Sequence, residues 1–151
     1  MRHRVLVVDD DSGTLKVLRR MLEALGHDVT AVSTGRAAIG LADRETFDVV
    51  LCDIHMPDLD GVEVIRRLTA LGGRAQLVAM TGVPDPRCAF DARAAGAHRY
   101  LAKPIQLRDL VLLMADMPGD TLPRDQGKLA RSLARSIVLH ARPPRRVCAR
   151  L

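Results

Sequence analysis

Short apolar runs alternate with amphipathic stretches along the first 117 residues. Val5-Leu6-Val7-Val8 is an unbroken run of β-branched residues and leucine, the pattern of a strand buried on both faces. Leu15, Leu18, Leu22 and Leu25 then recur at helical spacing, with Ser12 placed to cap the helix and Gly26 to end it. Val29–Val32 reads as a second strand. Ala37, Ala38, Leu41 and Ala42 suggest a second helix, closed before Phe47. Asp48–Ile54 is a third strand, followed by a helix on Val62, Ile65, Leu68 and Leu71 that Gly72-Gly73 stops. Leu77–Met80 is a fourth strand, and Asp85-Pro86 is a cap and first-position pair for a helix reaching Ala95. Arg99–Ala102 and a helix on Leu107, Leu110, Val111 and Met114 complete the pattern. Five strand–helix units predict an α/β fold, a doubly wound five-stranded parallel sheet with helices on both faces.

The chain has 151 residues, enough to bury a core without disulfides or metal. Only 2% of them are aromatic, which argues against stacking platforms for single-stranded nucleic acid. Three cysteines (Cys52, Cys88 and Cys148) form no paired motif, so a zinc site and a disulfide framework are disfavoured and a reduced, cytoplasmic setting is expected. The apolar run near the amino terminus is too short for a secretory leader, and no stretch approaches the length of a membrane span. Charge divides the chain. Residues 1–118 carry 15 basic and 16 acidic side chains, whereas residues 119–151 carry 8 basic and 2 acidic ones. The boundary falls at Met117-Pro118-Gly119-Asp120, so a body over 1–118 and a basic extension over 119–151 are expected.

In an open parallel sheet, ligands bind at the carboxyl ends of the strands. Asp9-Asp10-Asp11 follows the first strand, Asp53 ends the third, Thr81 ends the fourth, and Lys103-Pro104 follows the fifth. Any one of these is ordinary, since acids favour helix amino termini and turns. Together they describe one pocket. Carboxylates held close repel unless a cation intervenes, and oxygen ligands select a hard cation such as Mg²⁺. A carboxylate so relieved can act as a nucleophile, and the metal, lysine and hydroxyl would stabilise phosphoryl charge. The chemistry expected is metal-assisted phosphoryl transfer to or from an aspartate.

The same residues resemble the response-regulator receiver domains of two-component signalling, over about residues 3–117. The matching segments are Val5–Asp11, Asp53-Ile54-His55-Met56-Pro57-Asp58-Leu59-Asp60-Gly61, Met80-Thr81-Gly82, and Ala95-Gly96-Ala97 followed by Tyr100-Leu101-Ala102-Lys103-Pro104. The resemblance implies a flavodoxin-like sheet with Asp53 as phosphoacceptor. It implies Mg²⁺ held by Asp9, Asp10, Asp53 and the backbone carbonyl of His55, whose imidazole is not implied as a ligand. Thr81 and Lys103 would contact the phosphoryl oxygens, Tyr100 would be the switch aromatic, and the Lys103-Pro104 bond would be cis. Asp11 matches a variable loop position. This chain departs from the usual pattern in His55 and Val83, which border the path of attacking water, and in Pro84 and Pro86 around the fourth helix. Cys52 should face away from the site by strand alternation.

In the extension, Leu129, Leu133 and Ile137 recur every fourth residue beside Arg131 and Arg135, the pattern of a basic amphipathic helix of about three turns, ended by Pro143-Pro144. Self-packing, partner docking, membrane-surface association and DNA contact all remain open for it. No second helix of a helix-turn-helix is evident, so nucleic acid is the weaker expectation. Two functions follow. The first is a response regulator, not an enzyme beyond its own phosphorylation and dephosphorylation, taking phosphate from a histidine kinase or phosphotransfer protein and switching a face toward a downstream protein target or a homodimer. The alternative is a DNA-associated transcription regulator acting through the basic tail. An aspartate-nucleophile phosphatase is disfavoured, because position 55 holds His where a general acid would be wanted.

Overall fold

The computed structural model describes residues 1–117. The element order is β1 (Arg4–Val8), α1 (Ser12–Ala24), β2 (Asp28–Val32), α2 (Gly35–Ala42), β3 (Val49–Asp53), α3 (Gly61–Ala70), β4 (Gln76–Thr81), α4 (Pro86–Ala95), β5 (Arg99–Ala102) and α5 (Leu107–Ala115). All strand pairs are parallel, in the order β2-β1-β3-β4-β5. Residues 1–111 form one compact unit, and the residues from Leu112 belong to a second. The expected amphipathic helix and the boundary at residue 118 lie outside the described residues.

Period-2 alternation divides the core between the two faces of the sheet. Leu6, Val8, Val50, Cys52, Leu77 and Ala79 cluster with Ala38 of α2, Val64, Ile65 and Leu68 of α3, and Ala92 and Ala95 of α4. Val5, Val7, Val49, Leu51, Val78 and Met80 are equally buried and point the other way, where α1 supplies the buried Leu18 and Leu22. Burial on both faces explains why these strands read as continuous apolar runs. Cys52 lies in the first cluster, and its thiol donates to the Asp53 carbonyl at 3.4 Å. Burial, and then the charges of Asp53 and Asp9, push the thiol pKa far up, so it stays protonated and inert.

Two helix starts differ from the sequence pattern. Asp11, not Ser12, caps α1: it is extended, and its carboxylate accepts from the Thr14 backbone N–H and hydroxyl, both at 2.7 Å. A charged acceptor at the positive end of a helix outcompetes a hydroxyl. α2 begins two residues before Ala37 because Thr34 caps it, accepting from the Ala37 N–H at 3.2 Å. Asp85 and Pro86 cap and open α4 as the sequence predicts. Gly96 ends α4 in the left-handed region at φ +116°, where a Cβ would lie 2.1 Å from Thr69 Oγ1.

Candidate active site

The strand order reverses direction at β1, which lies between β2 and β3, and the crevice opens there at the carboxyl ends. The register sets the site. Val8 pairs with Cys52, so Asp9 emerges beside Asp53. Asp53 pairs with Met80, and Thr81 with Ala102, which brings Thr81 and Lys103 to the same level. The Lys103 N–H donates to the Thr81 carbonyl at 2.7 Å, and the Lys103-Pro104 bond is cis.

Lys103 is the electrostatic centre. Its Nζ lies 2.5 Å from Asp9 Oδ2 and 3.2 Å from Asp53 Oδ2. Asp9 is fully buried, and its other oxygen accepts from the Asp11 N–H at 2.9 Å. Asp53 is 4% exposed, and its Oδ1 accepts from the His55 N–H at 3.4 Å. Asp10 is exposed, yet Asp9, Asp10 and Asp53 each place an oxygen within 4.8 Å of the others. Burial, reinforced by the Asp9 charge, raises the Asp53 pKa above the usual carboxylate range, although the Lys103 ammonium pulls against it. Burial alone would lower the Lys103 pKa, but its hydrogen bond to Asp9 and the charges of Asp53 and Asp9 prevail and raise it. The lysine therefore stays cationic.

With three carboxylates ionised and one lysine protonated, the formal charge is −2, which one divalent cation cancels. The donors are oxygens alone, as Mg²⁺ or Ca²⁺ prefers. The residues therefore fit a hard divalent ion. The His55 side chain is exposed.

Thr81 is fully buried, and its hydroxyl donates to the Val83 carbonyl at 3.1 Å while accepting the Val83 N–H at 3.2 Å. It is thus engaged by its own loop. Tyr100, on the edge strand β5, is half-buried against the core, and its hydroxyl is enclosed without a hydrogen-bond partner among the described residues. It borders a groove of about 540 Å³ shared with Phe90 and Arg93 of α4. A second groove, of about 410 Å³, runs beside Lys103 between Val17 and Ile105.

Gly61 fixes the loop after β3. A Cβ there would stand 2.0 Å from the Asp53 carbonyl oxygen and 2.6 Å from Ile54 Cα, so only glycine permits this approach. Asp58, which carries no role in the sequence pattern, reaches α2: its two oxygens accept from the Gly35 N–H at 3.3 Å and the Arg36 N–H at 3.4 Å. An acid beside a proline signals a turn, and nothing local points to a partner so far upstream.

A five-stranded parallel sheet with an acid triad, a threonine and a lysine at its carboxyl edge defines the receiver class. Residues 5–115 match the family model of the response regulator receiver domain, and the chain belongs to that family of two-component signalling proteins. It is 36% identical over 122 residues to the response regulator MprA of Mycolicibacterium vanbaalenii, covering 81% of this chain and 53% of that protein. The receiver domain of a sensor histidine kinase from Pseudomonas aeruginosa, solved with a magnesium ion coordinated in its active-site cleft, superposes with a TM-score of 0.72 at 29% identity, covering 78% of this chain and 98% of that one. A response regulator from Burkholderia pseudomallei, solved with a phosphorylated aspartic acid and a calcium ion, superposes with a TM-score of 0.71 at 26% identity over 92% of this chain and 75% of that one. The chain spans about half or less of the length of the curated relatives it matches. No helix among the described residues is long and apolar enough to cross a membrane.

Proposed function

We propose that this chain is a response regulator that accepts a phosphoryl group on Asp53 from a histidine kinase or phosphotransfer protein, in a Mg²⁺-dependent reaction. The observation that carries this reading is the shared ammonium. Lys103 pairs with both Asp9 and Asp53, and Asp10 completes the acid cluster at the strand ends. Asp9, Asp10, Asp53 and the His55 carbonyl would hold the ion, which supplies positive charge against the phosphoryl oxygens when bound. Attack by an Asp53 oxygen on phosphorus forms the acyl phosphate while the phosphorus–nitrogen bond of the donor breaks and imidazole leaves. Lys103 neutralises charge on the phosphoryl oxygens. Thr81 can donate to them only by releasing Val83, and that release frees the loop before α4.

Loss of the Thr81–Val83 ring and repacking around Tyr100 would couple the phosphorylated site to the α4–β5 groove, so that phosphorylation biases a two-state equilibrium of that face. The face would meet a downstream protein or a second copy of the chain. Catalysis is confined to the domain's own phosphorylation and dephosphorylation, and the setting is cytoplasmic. The test is labelling of the full chain by acetyl phosphate with and without Mg²⁺, followed by site mapping. Asp53→Asn should abolish labelling, and Asp10→Asn should raise the Mg²⁺ requirement. Labelling that survives Asp53→Asn rejects the assignment.

The basic stretch 119–151 supports a second reading, a DNA-associated transcription regulator acting through that tail. Duplex DNA binding that falls steeply with salt would favour it, and no retention at low salt would remove it.

A further inference from the structure

We propose that Asp58 is a positioning residue that ties the loop bearing the His55 carbonyl to the amino terminus of α2, and so sets the Mg²⁺ affinity of the phosphoacceptor site. The proposal rests on the receiver reading above.

The loop between β3 and α3 is held firmly at its base. The Ile54 N–H donates to the Met80 carbonyl at 2.9 Å, and the Gly61 N–H to the Ile54 carbonyl at 2.8 Å. At its far end Asp60 caps α3, accepting from the Val62 N–H at 2.7 Å. These bonds fix the two ends, and among the described residues His55, exposed between them, is held through its own N–H to Asp53. Among the described residues, the hydrogen bonds that join this loop to another helix are the two from α2 to Asp58.

The first turn of a helix carries N–H groups with no partner of their own and the positive end of the helix dipole, so a carboxylate is the natural clasp. Apolar packing reinforces it. A Cβ on Gly35 would stand 2.4 Å from Val64 Cγ2, 3.4 Å from Leu59 Cβ and 3.5 Å from Met56 Cε, so the α2 backbone lies directly against the loop. Bonds of 3.3 and 3.4 Å are long, but two of them to one charged acceptor at a helix amino terminus make a modest tether. Their consequence is placement. Mg²⁺ demands near-ideal octahedral geometry at ~2.0–2.1 Å, so a carbonyl ligand displaced by a fraction of an ångström binds it poorly.

The experiment measures the Mg²⁺ dissociation constant of the full chain directly, by amide chemical-shift titration with MgCl₂ and no phosphodonor. Asp58→Ala should raise the constant about 3- to 10-fold, at or below the low end for groups that orient a metal ligand. Its acetyl phosphate labelling rate at saturating Mg²⁺ should stay within about twofold of wild type, because a change confined to metal binding moves half-saturation and not the maximum. Asp58→Asn keeps an acceptor and the shape but loses the charge, and should lie closer to wild type than to Asp58→Ala. Asp58→Leu also removes both acceptors and takes the place of Ala if that variant does not fold. An unchanged constant when both acceptors are gone overturns the proposal. So does an Asn variant equal to Ala, which would reduce the effect to charge alone. Wild-type protein that Mg²⁺ and acetyl phosphate fail to label rejects the phosphoacceptor reading itself, a separate outcome.

Discussion

Replacing Asp53 with Asn should stabilise the protein in the presence of a chelator, although it removes an ion-paired residue. Asp53 stands within 4.8 Å of the carboxylates of Asp9 and Asp10. With an effective dielectric of about 20, the repulsion from buried Asp9 amounts to about 3.5 kcal/mol, and that from exposed Asp10 is largely screened by water. The Lys103 ammonium at 3.2 Å returns about 5 kcal/mol on the same scale. That attraction outweighs the Asp9 repulsion, so it is the cost of burying a carboxylate that is 4% exposed that tips the balance, by on the order of 2 kcal/mol against the charged form. Asn has the same shape, its single carbonyl oxygen can accept from Lys103 in place of Oδ2 while the weak 3.4 Å bond from the His55 N–H is given up, and Lys103 stays paired with Asp9. For a chain of this size that gain corresponds to a rise in Tm of about 4–8 °C. Thermal and urea unfolding followed by far-ultraviolet circular dichroism, in EDTA at pH 7, measures it.

The raised pKa of Asp53 also sets a pH dependence. A pKa raised in the folded state means that folding favours the proton, so the stabilisation is fully present below the ordinary carboxylate value and is lost as pH climbs through the raised one. The advantage of Asn over Asp should therefore shrink as pH falls through that window. Mg²⁺ should reverse the ranking. At a hundred times its dissociation constant a ligand adds ~2.7 kcal/mol to the protein that binds it, and the Asn variant should gain far less. An Asn variant less stable than wild type in EDTA would refute the reasoning, because it would mean that Asp53 is held comfortably charged without a metal.

Two further outcomes follow from the same geometry. Lys103→Met leaves Asp9 and Asp53 buried without a cation, and should cost about 3 kcal/mol at pH 7, recovered in part as acid protonates them; urea unfolding across pH would show both. Gly61→Ala forces a methyl group onto the Asp53 carbonyl, and should cost about 2–3 kcal/mol by urea unfolding and slow acetyl phosphate labelling as the end of β3 shifts.

The sheet was legible because its strands are buried on both faces. Val5–Val8 and Val49–Cys52 therefore read as unbroken apolar runs, and that pattern alone puts Asp9, Asp53, Thr81 and Lys103 at strand ends. Parallel order then does the rest, since one edge of such a sheet collects every carboxyl end. Contacts that the chain's periodicity does not encode were not legible. The Asp11 cap was missed because Ser12 is also a good cap, and only backbone angles decide between neighbours. Asp58 was missed because its partners are main-chain N–H groups, which leave no mark on residue type. The engagement of Thr81 with Val83 was likewise hidden, because a threonine that turns back on its own loop has the same sequence as one facing the pocket.

The two cationic elements of the proposed mechanism do different work, and the distances show why both are wanted. Lys103 lies closest to Asp9, the fully buried acid, and touches Asp53 less closely. The lysine thus settles the carboxylate that water cannot reach. What remains is the charge of Asp10, which is exposed, and of Asp53, the proposed nucleophile. A second lysine would carry one charge too few and would pin Asp53 by hydrogen bonds. A divalent ion held by Asp9, Asp10 and Asp53 would match the remaining −2 and would supply positive charge to the phosphoryl oxygens, with Asp10 on the exposed side of the site. On this account the reactivity of Asp53 comes from incomplete neutralisation. The fold supplies enough positive charge to keep the acid pocket folded, and a bound divalent ion would supply the rest.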